Sequence, residues 1–543
     1  MRAASRASRS SRVDGSLLLI IVDARLPPDG ADPARQGAPH MFKKRLLSCV
    51  AILPALAAFS AAAADLPSRK APPPPLPPAP IFTWTGFHIG YGTGYGGAVY
   101  DANIVLANPL LGAVGTRSFD QGSGWFIGGQ IGYDYQFANG VVVGIESDMQ
   151  WSEIGSSHQA TTTGSNPLLF THVNTRQSLE WFGTTRGRLG YSFGRLLPYV
   201  TGGVAYGEVS ANGVQALAAG LVSGGSRSST NVGWAAGAGL EFAVSNRTSV
   251  RAEYLYLQLP GVTGPAIGLP PPPFPALVGA FSTGVMQAHM VRGGMNYRFN
   301  GVGDLMPGGG LFAGLFEKPA LDWTGFYVGV NGGYGGGKVG GVTAFALPGA
   351  AFSTYASNRT GGAIAGGQAG YNYQLSNQIV LGLETDAQWS GVRAWHQATT
   401  VGGPGAFVFT DTPNAMNWFG TTRARIGYAH GSSLTYATGG VAYGEIAVSG
   451  TQFAGALFTG SGSRTQVGWA VGGGSEYAIS PNLSLKAEAL FLNLSGVNGP
   501  AVGLGLAPFA GSFSTQRFTS NLTRVGLNWR FGGGTLAPVV AKY

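Results

Sequence analysis

The stretch IESDMQWS at residues 145–152 alternates between apolar and polar side chains. Its even positions hold Glu146, Asp148 and Gln150, whereas Ile, Met and Trp stand at odd positions. Because successive side chains of a β-strand point to opposite faces, this period of two predicts a strand with one polar and one apolar face. The same alternation recurs at 181–191 and 250–256, and around 181–191 the polar face holds Glu180, Thr184, Arg186 and Arg188.

Eight such segments are predicted in the first half of the chain, near 84–99, 122–137, 141–153, 178–193, 197–211, 229–244, 248–259 and 285–299. Short turns at 138–140, 194–196 and 245–247 alternate with long loops at 100–121, 154–177, 212–228 and 260–284. Short turns at one end and long loops at the other are typical of outer-membrane β-barrels. The alternative, a soluble β-sandwich, is expected to have less regular loop lengths.

The second half of the chain repeats the first. WTGF occurs at 84–87 and 323–326, GGQIGYDYQ at 128–136 returns as GGQAGYNYQ at 366–374, and WFGTTR occurs at 181–186 and 418–423. The offset falls only from 239 to 232 residues, which indicates duplication of a whole domain; solenoids and propellers have much shorter periods. The second copy has its own predicted short turns at 376–378, 430–432 and 480–482.

Composition excludes several classes of protein. Only 10% of residues are charged, against roughly 25% in soluble domains. The one cysteine, Cys49, leaves no framework for disulfides, zinc or iron–sulfur clusters. Of the net charge of +9, residues 1–64 carry +5, and no cluster of Lys or Arg with interleaved aromatics follows them. We therefore expect no nucleic-acid binding.

The N-terminal region predicts export. Residues 41–64 combine a basic start, an apolar stretch and a final Ala-Ala-Ala, which is the layout of a cleaved signal peptide with its cleavage site between Ala64 and Asp65. We expect the true start at Met41 and a dispensable extension at 1–40. A Pro-rich periplasmic linker at 65–82 favours polyproline II; an SH3 ligand is the alternative. A second linker is predicted at 300–321 and a tail at 532–543.

Aromatic residues are sorted by strand end. Tyr133, Tyr135 and Phe137 lead into one short turn, whereas Trp151 and Trp181 flank a long loop. Outward aromatics at opposite strand ends predict two interfacial belts.

These motifs resemble the small outer-membrane β-barrel family of alphaproteobacteria, the outer-membrane immunogenic or opacity-type porin family. The resemblance covers both copies, and rests on WTGF, on GGQxGYxYQ and on the closing NYRF at 296–299 and NWRF at 528–531. It implies an exported protein of the outer membrane that contacts lipid and lipopolysaccharide. It also implies handling by periplasmic chaperones and by the barrel assembly machinery, which reads a terminal aromatic strand. The duplication and the tail at 532–543 depart from the family pattern.

Charged residues recur on the predicted inward faces of both copies. The expected barrel-interior charge network comprises Glu146, Asp148, Arg186, Arg188, Glu241, Arg251, Glu253 and Arg292, with Glu384, Asp386, Arg423, Arg425, Glu476, Lys486, Glu488 and Arg524 in the second copy. Each set holds four acids and four bases, so the charges can pair inside a narrow barrel. We interpret the network as structural; a catalytic or transport role is the alternative.

Enzyme motifs are incomplete. The Gly-rich stretch 332–338 ends in Lys338 but is followed by Val339, so it lacks the hydroxyl of a phosphate-binding loop. His158 and His396 begin identical HQATT segments in predicted loops, which leaves a haem or metal contact conceivable. We predict no catalytic residue, cofactor or metal ligand.

The sequence therefore predicts an all-β protein with two tandem, eight-stranded transmembrane antiparallel barrels at 83–299 and 322–531. The expected role is structural support of the envelope and presentation of surface loops, with at most slight passive permeability. Alternatives are a porin formed by a single sixteen-stranded barrel, and an outer-membrane enzyme or ligand-binding surface protein. The oligomeric state is left open.

Overall fold

A computed structural model describes residues 82–108, 112–164, 171–217, 222–269, 276–299, 321–347, 350–394, 396–401, 407–411, 413–454, 457–504 and 509–531. The predicted extension, signal peptide and tail lie outside these ranges, as do all but one residue of each linker. No helix in the described ranges is long and apolar enough to cross a bilayer.

Within the described ranges, the first repeat contains ten strands: β1 (Gly86–Asn108), β2 (Gly112–Gln136), β3 (Val141–Gly164), β4 (Thr171–Tyr191), β5 (Leu196–Leu217), β6 (Val222–Ala243), β7 (Thr248–Leu259), β8 (Thr263–Leu269), β9 (Leu277–Thr283) and β10 (Met286–Phe299). Strands β1 to β7 pair in chain order, all antiparallel. β10 pairs with β7 and with β1, where Phe299 lies opposite Phe87. The first repeat thus closes its own eight-stranded barrel.

The described part of the second repeat contains thirteen strands: β11 (Gly325–Leu347), β12 (Ala350–Arg359), β13 (Gly362–Gln374), β14 (Ile379–Ala394), β15 (His396–Val401), β16 (Phe407–Asp411), β17 (Asn414–His430), β18 (Ser433–Ala454), β19 (Leu457–Ala478), β20 (Leu483–Leu494), β21 (Asn498–Leu504), β22 (Phe509–Thr515) and β23 (Phe518–Arg530). Its barrel runs β11-β13-β14-β17-β18-β19-β20-β23, and β23 closes on β11 with Arg530 opposite Tyr327. The expected two-barrel architecture is confirmed. In the strand segments that form these two barrels, a single sixteen-stranded barrel is wrong.

The apolar side chains of the barrel strands point outward, as the alternation predicted. Ile145, Met149 and Trp151 are exposed, and Trp151 is 75% exposed. Tyr133, Tyr135 and Phe137 are exposed beside the short turn at the other strand end. The region between these two aromatic levels is the membrane-facing band expected of an outer-membrane barrel.

The predicted long loops are wrong. Most of 100–121, 154–177 and 212–228 continues the flanking strands, and 260–284 contains the hairpin β8–β9. The alternation of apolar and polar residues predicted only those parts of the strands that have lipid on one face and the barrel interior on the other. Beyond the lipid both faces can be polar, so paired strands there lack the period-two signal.

At the end of the barrels away from the short turns, here called the outer end, strands of the two repeats pair with each other. Beyond the level of Ser123 and Gly155, β2 and β3 separate; β2 pairs with β15 and β3 pairs with β12. The strand order there is β1-β2-β15-β16-β18-β19-β21-β22-β11-β12-β3-β4-β5-β6-β8-β9, and β9 closes on β1. We call this ring of sixteen strands the outer rim. Both barrels and the rim belong to the same compact unit.

Candidate functional site

The structure places all sixteen predicted charged residues inside the two barrels, each 4% exposed or less. The period of two accounts for this, because every second residue of a barrel strand points inward. One neighbouring prediction fails: Glu180 is exposed, although it was expected to share the inward face of Arg186. The pairing of β4 with β5 shifts between Leu179 and Trp181, and this irregularity reverses which face Glu180 occupies.

Arg186 is the centre of the first network. Its Nη2 lies 2.9 Å from both Glu146 Oε1 and Asp148 Oδ2, and its Nη1 lies 2.9 Å from Glu253 Oε1. Arg292 Nη2 also contacts Asp148 Oδ2 at 2.9 Å and Glu253 Oε1 at 2.8 Å. Two guanidinium groups therefore bridge carboxylates from β3 and β7 across the lumen, where the multiple charge-assisted bonds offset desolvation.

The second network repeats this geometry. Arg423 Nη2 lies 2.6 Å from Glu384 Oε1 and 3.0 Å from Asp386 Oδ2, and Arg524 Nη2 lies 2.7 Å from Asp386 Oδ2. Lys486 replaces Arg251 of the first repeat and donates to both carboxylate oxygens of Glu384, at 2.6 and 2.7 Å. The ionic arrangement of the lumen thus tolerates an Arg-to-Lys difference while keeping every carboxylate paired.

Three charged or titratable groups of the first lumen were missed from the sequence. His88 lies between Asp134 and Glu146, with its two ring nitrogens 3.6 Å from their carboxylates, and Arg298 Nη2 lies 3.1 Å from Asp134 Oδ2. Period two could have found two of these groups: Asp134 stands between the exposed Tyr133 and Tyr135, and Arg298 shares the even-numbered face of its strand with Arg292.

The second lumen differs at these positions. Tyr327 replaces His88 and donates to Glu384 Oε2 at 2.7 Å, while Asn372 replaces Asp134. Arg530, the counterpart of Arg298, donates instead to the backbone oxygens of Asp322 and Pro481. Its guanidinium also lies 4.8 Å from the ring centre of Trp323. In the first barrel the guanidinium of Arg298 lies 5.4 Å from the ring centre of Trp84, so both barrels hold a Trp–Arg pair at the turn end.

Space in both lumens is limited. At Gly90 a Cβ atom would lie 2.1 Å from Asn296 Oδ1, and at the equivalent Gly329 a Cβ would lie 2.1 Å from Asn528 Oδ1. Inward glycines therefore leave room for the hydrogen-bonded side chains.

In each barrel a cluster of buried apolar side chains, which we call the plug, lies next to the charge network on the side away from the short turns. In the first barrel it comprises Phe126, Phe182, Ile154, Leu179, Leu255, Leu257 and Met290, all buried in one cluster. The rings of Phe126 and Phe182 pack edge to face, 5.5 Å apart. Ile364, Phe419, Leu490 and Leu522 occupy the second barrel. Between network and plug, Asp148 Oδ1, Arg292 Nη1 and the Gln150 amide make no protein hydrogen bond, and the equivalent atoms of the second barrel match them.

The remaining sequence candidates lie elsewhere. Gly332 to Lys338 forms part of strand β11, as the strand interpretation expected. His158 is buried on the rim, with Nδ1 2.6 Å from Asn358 Oδ1 of the second repeat. For His396 only the backbone is described, and it pairs with Asp120. The two histidines thus lie on different strand pairings.

Comparison with known proteins agrees with this geometry. The sequence profile of the outer membrane protein beta-barrel domain matches residues 51–304 and again 305–531. The 31 kDa outer-membrane immunogenic protein of Brucella melitensis is 35% identical over 253 residues, which cover 46% of this chain and 98% of that protein. The 22 kDa outer membrane protein of Rhizobium leguminosarum is 29% identical over 39% of this chain and 81% of its own.

Among solved structures, OprG of Pseudomonas aeruginosa aligns with 39% of this chain and 100% of its own length, at 12% identity. Its TM-score is 0.23. The profile matches cover both repeats, and the relatives are outer-membrane proteins. The chain is a tandem member of the outer membrane protein beta-barrel domain family and is located in the outer membrane.

Proposed function

We propose that this protein is a structural component of the outer membrane that supports envelope integrity and presents its outer rim at the surface. The observation that carries the proposal is the filling of both lumens. Between the turn end, where Trp84 lies, and the plug around Phe182, the lumen of the first barrel is filled first by paired charges and then by packed apolar side chains. The second barrel is filled in the same order.

Such a lumen offers little path for solutes. Eight-stranded barrels have interiors just wide enough for side chains. Water would have to separate ion pairs that are buried and multiply bonded, and then pass an aromatic plug. We therefore propose at most slight passive permeability.

The same geometry argues against catalysis by the interior. Arg186 and Arg423 each contact three carboxylates, and these carboxylates contact further cations. Carboxylates and guanidinium groups that are ion-paired with one another in this way are poor acids, bases or nucleophiles toward a substrate. The proposed partners are accordingly outer-membrane lipid and lipopolysaccharide around the barrel, and chaperones and the assembly machinery during biogenesis.

Deletion of the gene tests the proposal. We expect the mutant to become more sensitive to detergent and to large antibiotics, with unchanged uptake of small sugars, and we expect the intact gene to restore resistance. A complementing chain with Arg186→Ala should fail to restore resistance, and Arg176→Ala is its matched control, because Arg176 is an exposed arginine on the same strand as Arg186. Slower sugar uptake with unchanged detergent resistance would support the porin alternative and reject this role.

A further inference from the structure

The outer rim contains a strand exchange between the repeats. Within the first barrel, β2 pairs with its own neighbour β3 only up to Ser123 opposite Gly155. Farther out, Gly115 to Asp120 of β2 pair with Val401 to His396 of β15. Conversely, Gln159 to Gly164 of β3 pair with Ser357 to Phe352 of β12. Each repeat therefore provides one strand edge to the other in both directions.

The exchange preserves the pairing register. If β2 and β3 continued as they begin, Phe119 would lie opposite Gln159. In the structure Gln159 lies opposite Ser357, which is the counterpart of Phe119 in the second repeat. Phe119 in turn lies opposite Gln397, the counterpart of Gln159. Each residue has exchanged its expected partner for the equivalent residue of the other repeat, which is the defining property of a domain swap.

The two repeats also meet as a two-fold pair. Tyr95 packs against Tyr334, its own counterpart, with ring centres 6.5 Å apart. Near the turn end of the barrels Phe242 packs against its counterpart Tyr477, at 5.6 Å. Residues contact their own equivalents only near the axis of an isologous interface. Two such contacts at different heights indicate an axis that runs along the barrels.

Polar contacts fix the point where the strands separate. Tyr95 Oη donates to Gly336 O at 2.7 Å, and Gln121 Nε2 donates to Gly361 O at 2.7 Å. Arg359, the counterpart of Gln121, donates to the backbone oxygens of Ser123 at 2.9 Å and Gly155 at 3.1 Å.

A glycine permits this approach of the repeats. A Cβ on Gly97 would lie 2.2 Å from Tyr334 Oη. The junction is thus built from side chains and backbone of both repeats.

We propose that the outer halves of β2 and β3 are a docking edge whose partner is a second copy of the same repeat, and that this chain carries that copy in cis. The edge is self-complementary, because β2 and β3 keep the same pairing register whether they pair with each other or with β15 and β12. Its occupant is the equivalent edge formed by β12 and β15.

Cysteine pairs in the full-length chain distinguish the exchanged rim from two separate rims. Directly opposed residues of an antiparallel ladder have Cα atoms roughly 4.5–5.5 Å apart, which a disulfide can span. Gln159→Cys with Ser357→Cys reports exchange, and Gln159→Cys with Phe119→Cys reports pairing within one repeat. Cys49, the only native cysteine, is replaced by Ser in every chain.

A protease site inserted between residues 300 and 320 separates the repeats after mild oxidation in outer membranes. We expect the 159/357 pair to keep the two fragments joined until reductant is added, and the thiols of the 159/119 pair to remain open to maleimide. Phe119→Cys with Gln397→Cys is a second exchange reporter in case one pair fails to assemble. Cross-linking of 159 to 119 with free fragments in the 159/357 chain would overturn the proposal. So would a 159/357 link found only between two chains.

Discussion

Arg186 holds together three strands of the first barrel, because carboxylates from β3 and β7 converge on a guanidinium from β4. Removal of one member of such a buried set leaves the others charged and unpaired, which is far costlier than loss of an exposed ion pair. Networks of this kind give interaction energies that do not add.

We predict that Arg186→Ala lowers the free energy of unfolding by about 3–5 kcal/mol. The double variant with Glu146→Ala should lose less than the sum of the two single variants, since Glu146 is then no longer stranded. Urea unfolding of the detergent-solubilised protein measures both effects, with Arg176→Ala as the exposed control. Strictly additive losses would contradict the coupling.

Phe182 tests the plug by itself. Its ring is fully buried beside Phe126, so Phe182→Ala should create a cavity and cost about 3–5 kcal/mol of unfolding free energy. Phe193→Ala, at a ring that is 64% exposed beside a short turn, is the matched control and should cost far less within the folded barrel. Equal losses for the two variants in the same urea experiment would show that no packed plug exists.

At the scale of strands, alternation predicted which residues face the membrane and which charged residues face the lumen. Trp151 outward and Asp148 inward follow from one rule, because lipid and lumen lie on opposite faces. The same rule failed at Glu180, where an irregular register changes the face. It also failed for the outer strand halves, where both faces can be polar, and it gave no sign that those of β2 and β3 pair with β15 and β12 of the other repeat. A local sequence pattern carries no information about such distant pairing.

The outer ladder between β3 and β4 should respond to pH through His172. Burial lowers the pKa of His172 below its ordinary value, and its Nδ1 lies 2.8 Å from Thr161 Oγ1. An unfolded segment takes up a proton near pH 6.5, whereas the paired segment resists it. The ladder should therefore be most stable above that pH and lose protection as the pH falls.

Amide hydrogen exchange of residues 156–163, corrected for intrinsic rates, measures this protection at about pH 7.5 and about pH 5.5. His172→Gln should remove most of the difference between the two conditions. An unchanged pH dependence in that variant would assign the effect to another group.

At the scale of the whole molecule, closure and filling determine what the protein can pass. Each repeat pairs its first strand with its last, Phe87 with Phe299 and Tyr327 with Arg530, so sixteen strands surround two narrow lumens. A single ring of sixteen strands exists in the described residues only on the outer rim, beyond the level of Ser123 and Gly155. Seven of the barrel strands are absent from that ring, where β8, β9, β12, β15, β16, β21 and β22 take their places. The rim joins the barrels but leaves the two plugs separate.

Single-channel recording of the purified mature protein in planar bilayers tests this account most directly. Two plugged barrels predict a quiet membrane, with at most rare and small current steps after insertion. Insertion is checked independently by protease protection of the strand region in the same lipid. Large, stable and frequent conductance steps from the inserted protein would contradict the filled lumens and support a wide aqueous pore.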